Sequence, residues 1–394
     1  MPYPSGRDFP MDFDLTESQQ RVRDAIRAFS ETRIRPLARQ IDSQGKVPMD
    51  VIRELGARSY MAMMIPTAYG GAGWDTISYS IVVEEVSRVC ASTGVCVSVN
   101  NSLFADGLYK FGSEALKRRY LPKMGDGRMN GCLALTELEA GTDLAAAKTT
   151  AIPDGEDYIL NGSKLFITNG GFADATLALV STDPQAGSRG LSVVLVDKGT
   201  PGFRIGRREE TMGIRGSDTS ELIFENCRIP QTNRLGDAGD GFRIGLTILD
   251  GGRIGIASQA VGIAQAAYEE SVAYARTRQQ FGRPIGTFQA IAFKLADMAT
   301  EIDAARLLTL RAAWLKDQKQ PYGTAAAMAK LYASETAIRV TNEALQIHGG
   351  AGYVRHPQNN IERYYRDARI TAIYEGTSEA QRIVISRNIL KGQE

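Results

Sequence analysis

A glutamate near the end of the chain has the sequence setting of a general base. Glu375 follows two apolar residues and precedes a glycine in segment 373–379, IYEGTSE. Burial in a dry pocket raises the pKa of a carboxyl group towards the range that a general base needs at neutral pH. The segment by itself leaves two interpretations equally open, a base in a pocket and an ordinary loop carboxylate. Thr377 and Ser378 predict the cap of a last helix that begins near Glu379.

Two other segments carry groups that suit a cofactor with phosphates. Segment 134–143, ALTELEAGTD, combines small residues with hydroxyls, and such a turn can bind a polar ring edge or a phosphate. Segment 276–282, RTRQQFG, places guanidinium groups beside an aromatic ring, which suits a pyrophosphate. On local grounds a capped helix start explains the first segment more often, and a solvated charged loop explains the second at least as often.

Two further sets of residues lie on predicted helices. Asp250 and Arg253 are three positions apart and therefore share a helix face. Segment 346–350, QIHGG, ends a predicted helix in glycines that permit close backbone approach. An ion pair on the helix surface and a plain C-cap are the default explanations of these two sets.

The charge balance of the chain argues against a nucleic-acid partner. Lys plus Arg total 46 and Asp plus Glu total 45 among 394 residues, so no field of one sign attracts a polyanion. No apolar run approaches the roughly 20 residues that cross a bilayer, and we expect no membrane insertion. Segment 1–10 lacks the features of a secretion or import signal. Because the four cysteines form no C-x-x-C pair, we expect a reduced, cytoplasmic location.

Several common catalytic motifs are missing from the sequence. It contains no G-x-G-x-x-G dinucleotide fingerprint, no P-loop and no G-x-S-x-G nucleophile elbow. His348 and His356 are its only histidines, so we expect no metal centre. Nicotinamide binding in a Rossmann unit, P-loop nucleotide hydrolysis and metal-dependent hydrolysis therefore have little support.

Composition divides the chain into three regions. Residues 1–130 show helical spacing, residues 131–238 show short strands broken by turns, and residues 239–394 return to helices. Long helices are predicted over 285–316 and 323–347. The predicted fold class is mainly α with a central β domain, and a parallel doubly wound sheet is not expected because helices do not alternate with the strands.

The middle region contains one strong local turn signal. Asn161-Gly162 lies between two runs of strand-forming residues, 158–160 and 164–168. Asn-Gly favours the tight turns that join antiparallel strands. The pattern therefore predicts a β-hairpin that turns at this dipeptide.

Six segments, taken in their order and spacing, resemble the acyl-CoA dehydrogenase family. The resemblance runs from about Asp14 to Lys391, and the segments are ALTELEAGTD (134–143), LFITNGG (165–171), LDGGRIGIASQAVGIAQ (249–265), YARTRQQFGRPIGTFQAIAFKLADM (274–298), QIHGGAGY (346–353) and IYEGTSEAQR (373–382). It implies an N-terminal helical domain, a β-barrel-like middle domain and a C-terminal four-helix bundle, assembled as a homotetramer of two dimers. It also implies FAD as cofactor, an acyl-CoA as substrate and an electron-transfer flavoprotein as electron acceptor.

The resemblance assigns FAD contacts by position. Those expected at the flavin ring are Leu135, Thr136, Phe166, Ile167 and Thr168. Those expected at the diphosphate and adenosine end, partly across the dimer interface, are Arg278, Phe281, Gln289, Gln346, Gly349 and Gly350. Thr377 and Glu379 are expected to complete the cofactor site.

The resemblance also assigns contacts with the acyl-CoA. Asp250 and Arg253 match the pair that meets the CoA nucleotide, and Thr142 and Gly376 are further expected contacts. Thr142 stands where the family usually has serine, and Leu138 stands where it usually has proline. The hydroxyl is retained, so we expect function to be retained with an altered local geometry at the CoA chain.

Glu375 occupies the usual position of the family's catalytic base. Some relatives carry this base just before the residue that matches Arg253, and here that place holds Gly251-Gly252. Glu375 is therefore expected to take the α proton of the thioester while FAD accepts the β hydride, which yields a trans-2-enoyl-CoA. Segments 90–94 and 249–258 are most similar to the short-chain, butyryl-CoA type, so we expect short to medium linear acyl chains.

Three alternatives remain open at this point. The first is an oxidase or monooxygenase on the same fold, in which reduced flavin meets oxygen. The second is a non-catalytic helical scaffold that binds no flavin. The third is a dehydrogenase for an aromatic, cyclic or dicarboxylic acyl group, although no additional arginine can be assigned to a substrate carboxylate.

Overall fold

The computed structural model describes residues 14–355 and 359–390. Within these ranges it places helices first, then one sheet, then helices again. The fold class predicted from the sequence is thereby confirmed. The interpretation of segment 1–10 and that of His356 fall outside the described residues.

The N-terminal helices carry caps that their sequence explains. In the first helix the Thr16 hydroxyl accepts the N–H of Gln19, and the Gln19 side chain accepts the N–H of Thr16. This reciprocal capping box satisfies two donors that a helix start leaves unpaired. The α-helices of this part are α1 (Glu17–Phe29), α2 (Ala38–Gln44), α3 (Met49–Ala57), α4 (Thr76–Val89), α5 (Ala91–Ser98), α6 (Asp106–Phe111) and α7 (Glu114–Gly125). A buried π-helical segment, Val99–Ala105, joins α5 to α6.

The middle of the chain forms one sheet of eight strands. Its strands are β1 (Gly131–Ala134), β2 (Thr150–Asp154), β3 (Asp157–Ile167), β4 (Ala175–Ser181), β5 (Leu191–Asp197), β6 (Phe203–Arg208), β7 (Ser220–Pro230) and β8 (Arg234–Leu235). The strands lie in the order β6-β7-β3-β2-β4-β5-β8, and β1 pairs with β4 off this path. Most pairs are antiparallel, whereas β1 and β2 each run parallel to β4. The absence of a doubly wound parallel sheet agrees with the sequence pattern.

The predicted hairpin turn at Asn161-Gly162 is wrong. Both residues lie inside the single long strand β3, where the pairing with β7 shifts register between Leu160 and Gly162. Gly162 has φ +140°, and its hydrogen faces Thr149 so closely that a Cβ would lie 2.6 Å from the Thr149 hydroxyl. The glycine thus serves a β-bulge against a neighbouring strand, and the chain reverses earlier, where Asp154 pairs with Asp157.

The C-terminal helices enclose the largest buried apolar cluster together with parts of the first two regions. They are α8 (Gly241–Thr277), α9 (Gln289–Asp317), α10 (Gly323–His348), α11 (Gly350–Tyr353), α12 (Ile361–Arg369) and α13 (Ser378–Leu390). A short hairpin of β9 (Gln279–Gln280) and β10 (Arg283–Pro284) links α8 to α9. Both long helices predicted in this region are confirmed, and α8 also packs along α4 of the first region.

The central helix α8 is rich in small residues and nearly buried over its middle turns. Residues 251–264 of this helix are all buried, which explains why it lacks a polar stripe. Small residues at this position allow α4, α9 and α10 to approach closely. None of the helices in the described ranges is long and apolar enough to span a lipid bilayer.

Candidate active site

Glu375 lies on a tight loop between two helices. Its backbone is left-handed, with φ +51°, and Gly376 follows with φ +94°. A left-handed glutamate is uncommon, and such backbone strain is found mainly at functional sites. The loop is tied down on its C-terminal side, because Thr377 caps α13 through its hydroxyl, which accepts the N–H of Ala380 at 3.2 Å. The cap predicted from the sequence is confirmed.

A second anchor holds the loop on its N-terminal side. The hydroxyl of Tyr374 donates to the side-chain oxygen of Gln259 on α8. The amide nitrogen of Gln259 in turn donates to the carbonyl of Ala91, 3.0 Å away. The residue before Glu375 is therefore fixed to both α8 and the start of α5.

No residue that the structure describes is a hydrogen-bond partner of the Glu375 carboxylate. Both of its oxygens are buried, and neither accepts or donates a hydrogen bond within the described part of the chain. Burial raises the pKa of Glu375 to about 7, while the positive charges of Lys330 and Arg253 counteract that rise. A carboxylate with this pKa is present in both protonation states near neutrality, as a general base requires. The carboxylate is thus buried, as a base in a pocket would be.

The space for this carboxylate is provided by a glycine. A Cβ at Gly252 of α8 would lie 2.1 Å from Oε2 of Glu375 and 2.6 Å from a methyl carbon of Leu103. Both distances are far below any real contact, so the side chain of Glu375 fills the volume that a larger residue at 252 would need. From the sequence, Gly252 was interpreted only as the lack of an alternative base.

Asp250 and Arg253 form the ion pair that their spacing predicted. Nη1 of Arg253 donates to Oδ1 of Asp250 on the same face of α8. The Arg253 side chain is almost fully buried, and its Nε has no partner within the described residues. Burial lowers the pKa of Arg253 and raises that of Asp250, although each opposes the shift in the other. A buried guanidinium with a free N–H is a suitable donor for a polar group of a ligand.

Leu135 and Thr136 follow β1 and lie against α8. The Leu135 side chain is buried and lies 4.0 Å from the Cβ position of Gly245, about two helical turns before Gly252. The carbonyl of Thr136 accepts the N–H of Leu165, 2.9 Å away. This end of the sheet is therefore held about two turns along α8 from Gly252, the residue that faces Glu375.

Phe166 projects from a bulge at the end of β3. Register between β3 and β7 shifts again between Lys164 and Ile167. Phe166 has φ +59°, and 59% of it is exposed. An aromatic residue rarely adopts this backbone region or leaves its ring uncovered without a reason. The bulge turns the ring outward beside the buried Ile167.

These residues fit the flavin part of FAD. The hydroxyls of Thr136 and Thr168 have no hydrogen-bond partner among the described residues, and both residues are only half-buried. Together with the uncovered ring of Phe166 they offer polar groups and an aromatic face to a planar heterocycle. The chain therefore provides the kinds of groups that the edge and the face of a flavin require.

Six further expected FAD contacts lie near the C-terminal ends of α8 and α10. Arg278 follows the last turn of α8, and the ring of Tyr274 in that turn stacks on His348 at 4.2 Å. His348 ends α10, and Gly349 terminates it with φ +58°, which confirms the predicted C-cap. Exposed residues share this end, namely Arg278, Phe281, Gln289, Gln346, Gly349 and Gly350.

The length of α8 separates the residues near Glu375 from those near Arg278. Arg253 and Arg278 are 25 positions apart, which corresponds to roughly 37 Å along a helix. Arg253 and the residues around Arg278 are therefore widely separated within one chain. Phe281 is 94% exposed, so its ring is accessible to another molecule.

The loop with Thr142 and Leu138 lies on the surface. Leu138 is 85% exposed, Thr142 is exposed, and a Cβ at Gly141 would meet nothing within 4 Å. The loop is nevertheless well anchored at its base, because the carboxylate of Glu137 accepts the N–H groups of Lys148 and Thr149. An exposed loop with a free hydroxyl is accessible to a long substrate such as the CoA chain.

Sequence reasoning missed two buried lysines close to these groups. Lys164 pairs with Glu137 and donates to the carbonyl of Leu135 at 3.1 Å, so it fixes the turn that follows β1. Lys330 donates to the carbonyl of Gly376 at 2.7 Å. Neither lysine is exposed at all. The signal available for Lys330 was a single charge in the small, apolar segment 325–333, where a lysine needs a buried partner.

The raised pKa of Glu375 predicts a difference in stability between wild type and Glu375→Gln that depends on pH. The folded-state pKa, about 7, exceeds the ordinary value of 4.5. The stabilising contribution of the protonated carboxyl is therefore full below pH 4.5 and is lost as the pH rises through about 7. The ionised carboxylate then costs roughly 3 kcal/mol of folding stability. We expect the thermal midpoint of Glu375→Gln, relative to wild type, to increase between pH 5 and pH 8.

Thermal unfolding of the holoprotein at both pH values measures this difference. The matched control is Glu210→Gln, because Glu210 is exposed to solvent. We expect the control to show no increase between the two pH values. An equal increase in both variants would contradict the assignment of the effect to burial of Glu375.

Comparisons with known proteins identify the family of this chain. Three family models match it, described as the N-terminal, middle and C-terminal domains of acyl-CoA dehydrogenase, over residues 16–128, 132–227 and 239–390. The short-chain specific acyl-CoA dehydrogenase of Rattus norvegicus, named as mitochondrial, is 49% identical over 378 residues, which cover 96% of this chain and 91% of the relative.

Solved structures agree with the sequence matches. Butyryl-CoA dehydrogenase from Megasphaera elsdenii superposes with a TM-score of 0.94 and 42% identity, covering 96% of this chain and 100% of that one. A chain from work on the electron transferring flavoprotein of Acidaminococcus fermentans superposes with a TM-score of 0.95 and 47% identity, with the same coverage. From these matches along nearly its whole length we conclude that the chain belongs to the acyl-CoA dehydrogenase family.

Proposed function

We propose that this chain oxidises a short-chain acyl-CoA to the trans-2-enoyl-CoA, with Glu375 as the base that removes the α proton. FAD-dependent dehydrogenation of an acyl-CoA is the reaction class to which its family and its relatives point. The observation that carries the residue assignment is the buried carboxylate of Glu375, which has no hydrogen-bond partner in the described part of the chain. Its pKa of about 7 matches the task, because half of the carboxylate is ionised near neutral pH.

FAD, when bound, supplies the acceptor for the hydride that leaves the β carbon. The chain itself performs the proton transfer and orients the thioester. Glu375 removes the α proton, and its own backbone N–H has no acceptor among the described residues. This N–H is available to the thioester carbonyl, where negative charge develops as the proton leaves, and such a donor stabilises the transition state.

The contacts with CoA are assigned to groups around this base. Arg253 has a buried N–H without a partner in residues 14–355 and 359–390, and Asp250 orients its guanidinium from one turn away. Thr142 offers a hydroxyl on an exposed loop. Gly376, next to the base, permits close approach of the thioester because it has no side chain.

The contacts with FAD are divided between the two ends of the bundle. Leu135, Thr136, Phe166, Ile167 and Thr168 line the flavin ring, and Thr377 and Glu379 lie beside it. The groups at the far end of α8, namely Arg278, Phe281, Gln289, Gln346, Gly349 and Gly350, serve the nucleotide end of FAD in a neighbouring subunit. The separation of roughly 37 Å along α8 supports this division.

The same separation supports an assembly in which two subunits share each FAD site, and we propose a homotetramer built from two such dimers. Three domains, 1–130, 131–238 and 239–394, are proposed on the change from helix to sheet and back. An electron-transfer flavoprotein is the proposed electron acceptor, supported by the similarity to a chain from work on such a protein. The proposed location is the cytoplasm, which the four buried, unpaired cysteines support.

Visible spectra of the purified yellow holoprotein test the proposed function. Acyl-CoAs of increasing chain length are added without an electron acceptor, and bleaching of the flavin band is recorded. We expect bleaching by butyryl-CoA and its near neighbours in length, and much weaker bleaching by long chains. Failure of every linear acyl-CoA to bleach the flavin would contradict the proposal, and rapid peroxide formation would favour the oxidase alternative.

A further inference from the structure

Beneath the loop of Glu375 lies a lysine without a role in the proposed reaction. Lys330 is on α10 and is completely buried, and its ammonium group donates to the carbonyl oxygen of Gly376 at 2.7 Å. A buried lysine is costly unless its charge is compensated. A carbonyl oxygen alone does not compensate it, so the negative charge of the nearby Glu375 is the natural counterpart.

We propose that Lys330 is a positioning residue for Glu375, which holds the loop through Gly376 and favours the ionised form of the base by its positive charge. This inference rests on the proposed function and goes beyond it. The two effects come from one ammonium group, because the carbonyl it binds belongs to the residue that follows the base.

A neutral side chain also donates a hydrogen bond to the carbonyl of Gly376. The amide nitrogen of Gln381 donates to the same Gly376 carbonyl at 2.9 Å and lies 3.4 Å from the carbonyl of Glu375. Gln381 is as deeply buried as Lys330. The two side chains therefore share the task of fixing the loop, and only Lys330 adds a charge.

Other charged and titratable groups face the same region. Two cations act on Glu375, Lys330 from α10 and Arg253 from α8, and the charge of Glu375 in turn acts on Tyr79 of α4 and on Tyr374 of its own loop. Those that act on Lys330 are Glu375, Arg253, Glu379 and Glu335. Burial lowers the pKa of Lys330 to about 8 and Glu375 opposes this fall, so the lysine is still mostly charged at neutral pH. Because Arg253 is already paired with Asp250, Lys330 is the cation whose removal most directly affects the base.

Two matched substitutions separate the charge from the hydrogen bond. Lys330→Met and Gln381→Met each remove one donor to Gly376 with little change in volume, but only the first removes a charge. Without a neighbouring cation the ionised carboxylate is less favoured, so the pKa of Glu375 rises in Lys330→Met. We expect a rise of about one pH unit in this variant and a clearly smaller change in Gln381→Met.

The primary measurement is the infrared titration of the Glu375 carboxyl band in the holoprotein, assigned by its loss in Glu375→Gln. The acidic limb of the kcat/KM profile with butyryl-CoA should move upward in parallel, which lowers kcat/KM at pH 7 roughly fivefold. A titration unchanged in Lys330→Met, or shifted equally in Gln381→Met, overturns the proposal. If Lys330→Met does not fold, Lys330→Gln is titrated instead, and an unshifted band there overturns it.

The infrared titration needs no turnover. If the wild-type protein is not bleached by any acyl-CoA, the proposed function fails, and the titration still decides whether Lys330 controls the ionisation of Glu375. If the wild-type protein is bleached and the titration is unshifted, only the role of Lys330 fails.

Discussion

Glu375→Gln is expected to abolish bleaching of the flavin by acyl-CoA while the protein stays yellow. Glutamine has nearly the same shape but cannot accept the α proton. A positioned general base typically contributes 10²- to 10⁴-fold to a rate, so we expect the rate of bleaching to fall by about 10³-fold or more. The measurement is the single-turnover rate of absorbance loss after mixing with butyryl-CoA.

The expected retention of flavin and substrate follows from the surroundings of Glu375. Its carboxylate makes no hydrogen bond within the described residues, so the substitution breaks none. The loop keeps its ties to Lys330, Gln381 and Gln259 through the neighbouring residues. Binding of butyryl-CoA, measured as a perturbation of the flavin band, should therefore change little. Bleaching at the wild-type rate in this variant would refute the assignment of the base.

Gly252→Ala, on the helix that faces Glu375, is also expected to lower the rate of the reaction. The added methyl group would lie 2.1 Å from Oε2 of Glu375 and 2.6 Å from Leu103. Neither contact is possible, and Leu103 belongs to a buried π-helical segment. The carboxylate must therefore leave its place, and displacement by about 1 Å can cost 10²-fold in rate. We expect a fall of about 10²-fold in kcat with butyryl-CoA.

The adjacent glycine provides the control for this substitution. A Cβ at Gly251 would meet its nearest atom, Oδ2 of Asp106, at 3.4 Å, which is an ordinary contact. Both glycines lie in the interior of α8, so alanine improves helix propensity equally at each, by about 1 kcal/mol. Gly251→Ala should therefore retain most of the activity. Equal loss in the two variants would show that packing of α8, and not contact with Glu375, is responsible.

Patterns that depend on neighbours along the chain could be predicted from the sequence. The Asp250–Arg253 pair, the glycine cap of α10 at Gly349 and the cap of α13 at Thr377 all arise within one or two helical turns. The order of helix, sheet and helix followed from hydrophobic period in the same way. These features were confirmed because the interactions that create them are local.

Features set by distant parts of the chain could not be predicted. The Asn161-Gly162 dipeptide has the sequence of a hairpin turn, but Thr149 on a neighbouring segment leaves room only for glycine there. Gly252 and Lys330 obtain their roles from contact with the loop of Glu375, which lies far away in sequence. Tertiary contact overrides local propensity at Asn161-Gly162. At Gly252 and Lys330 it provides the contact that local sequence could not indicate.

The length of α8 has a consequence for oligomers that contain two different inactive variants. This helix carries Arg253 in its first half, and Arg278 follows its last residue. In the proposed assembly, each chain therefore supplies half of two separate cofactor sites. One inactive variant defective at Glu375 and another defective at Arg278 can complement each other in a mixed oligomer. Some sites in that oligomer receive both intact halves, and others receive both lesions. A substitution in one chain would thus also inactivate a site that this chain shares with its neighbour.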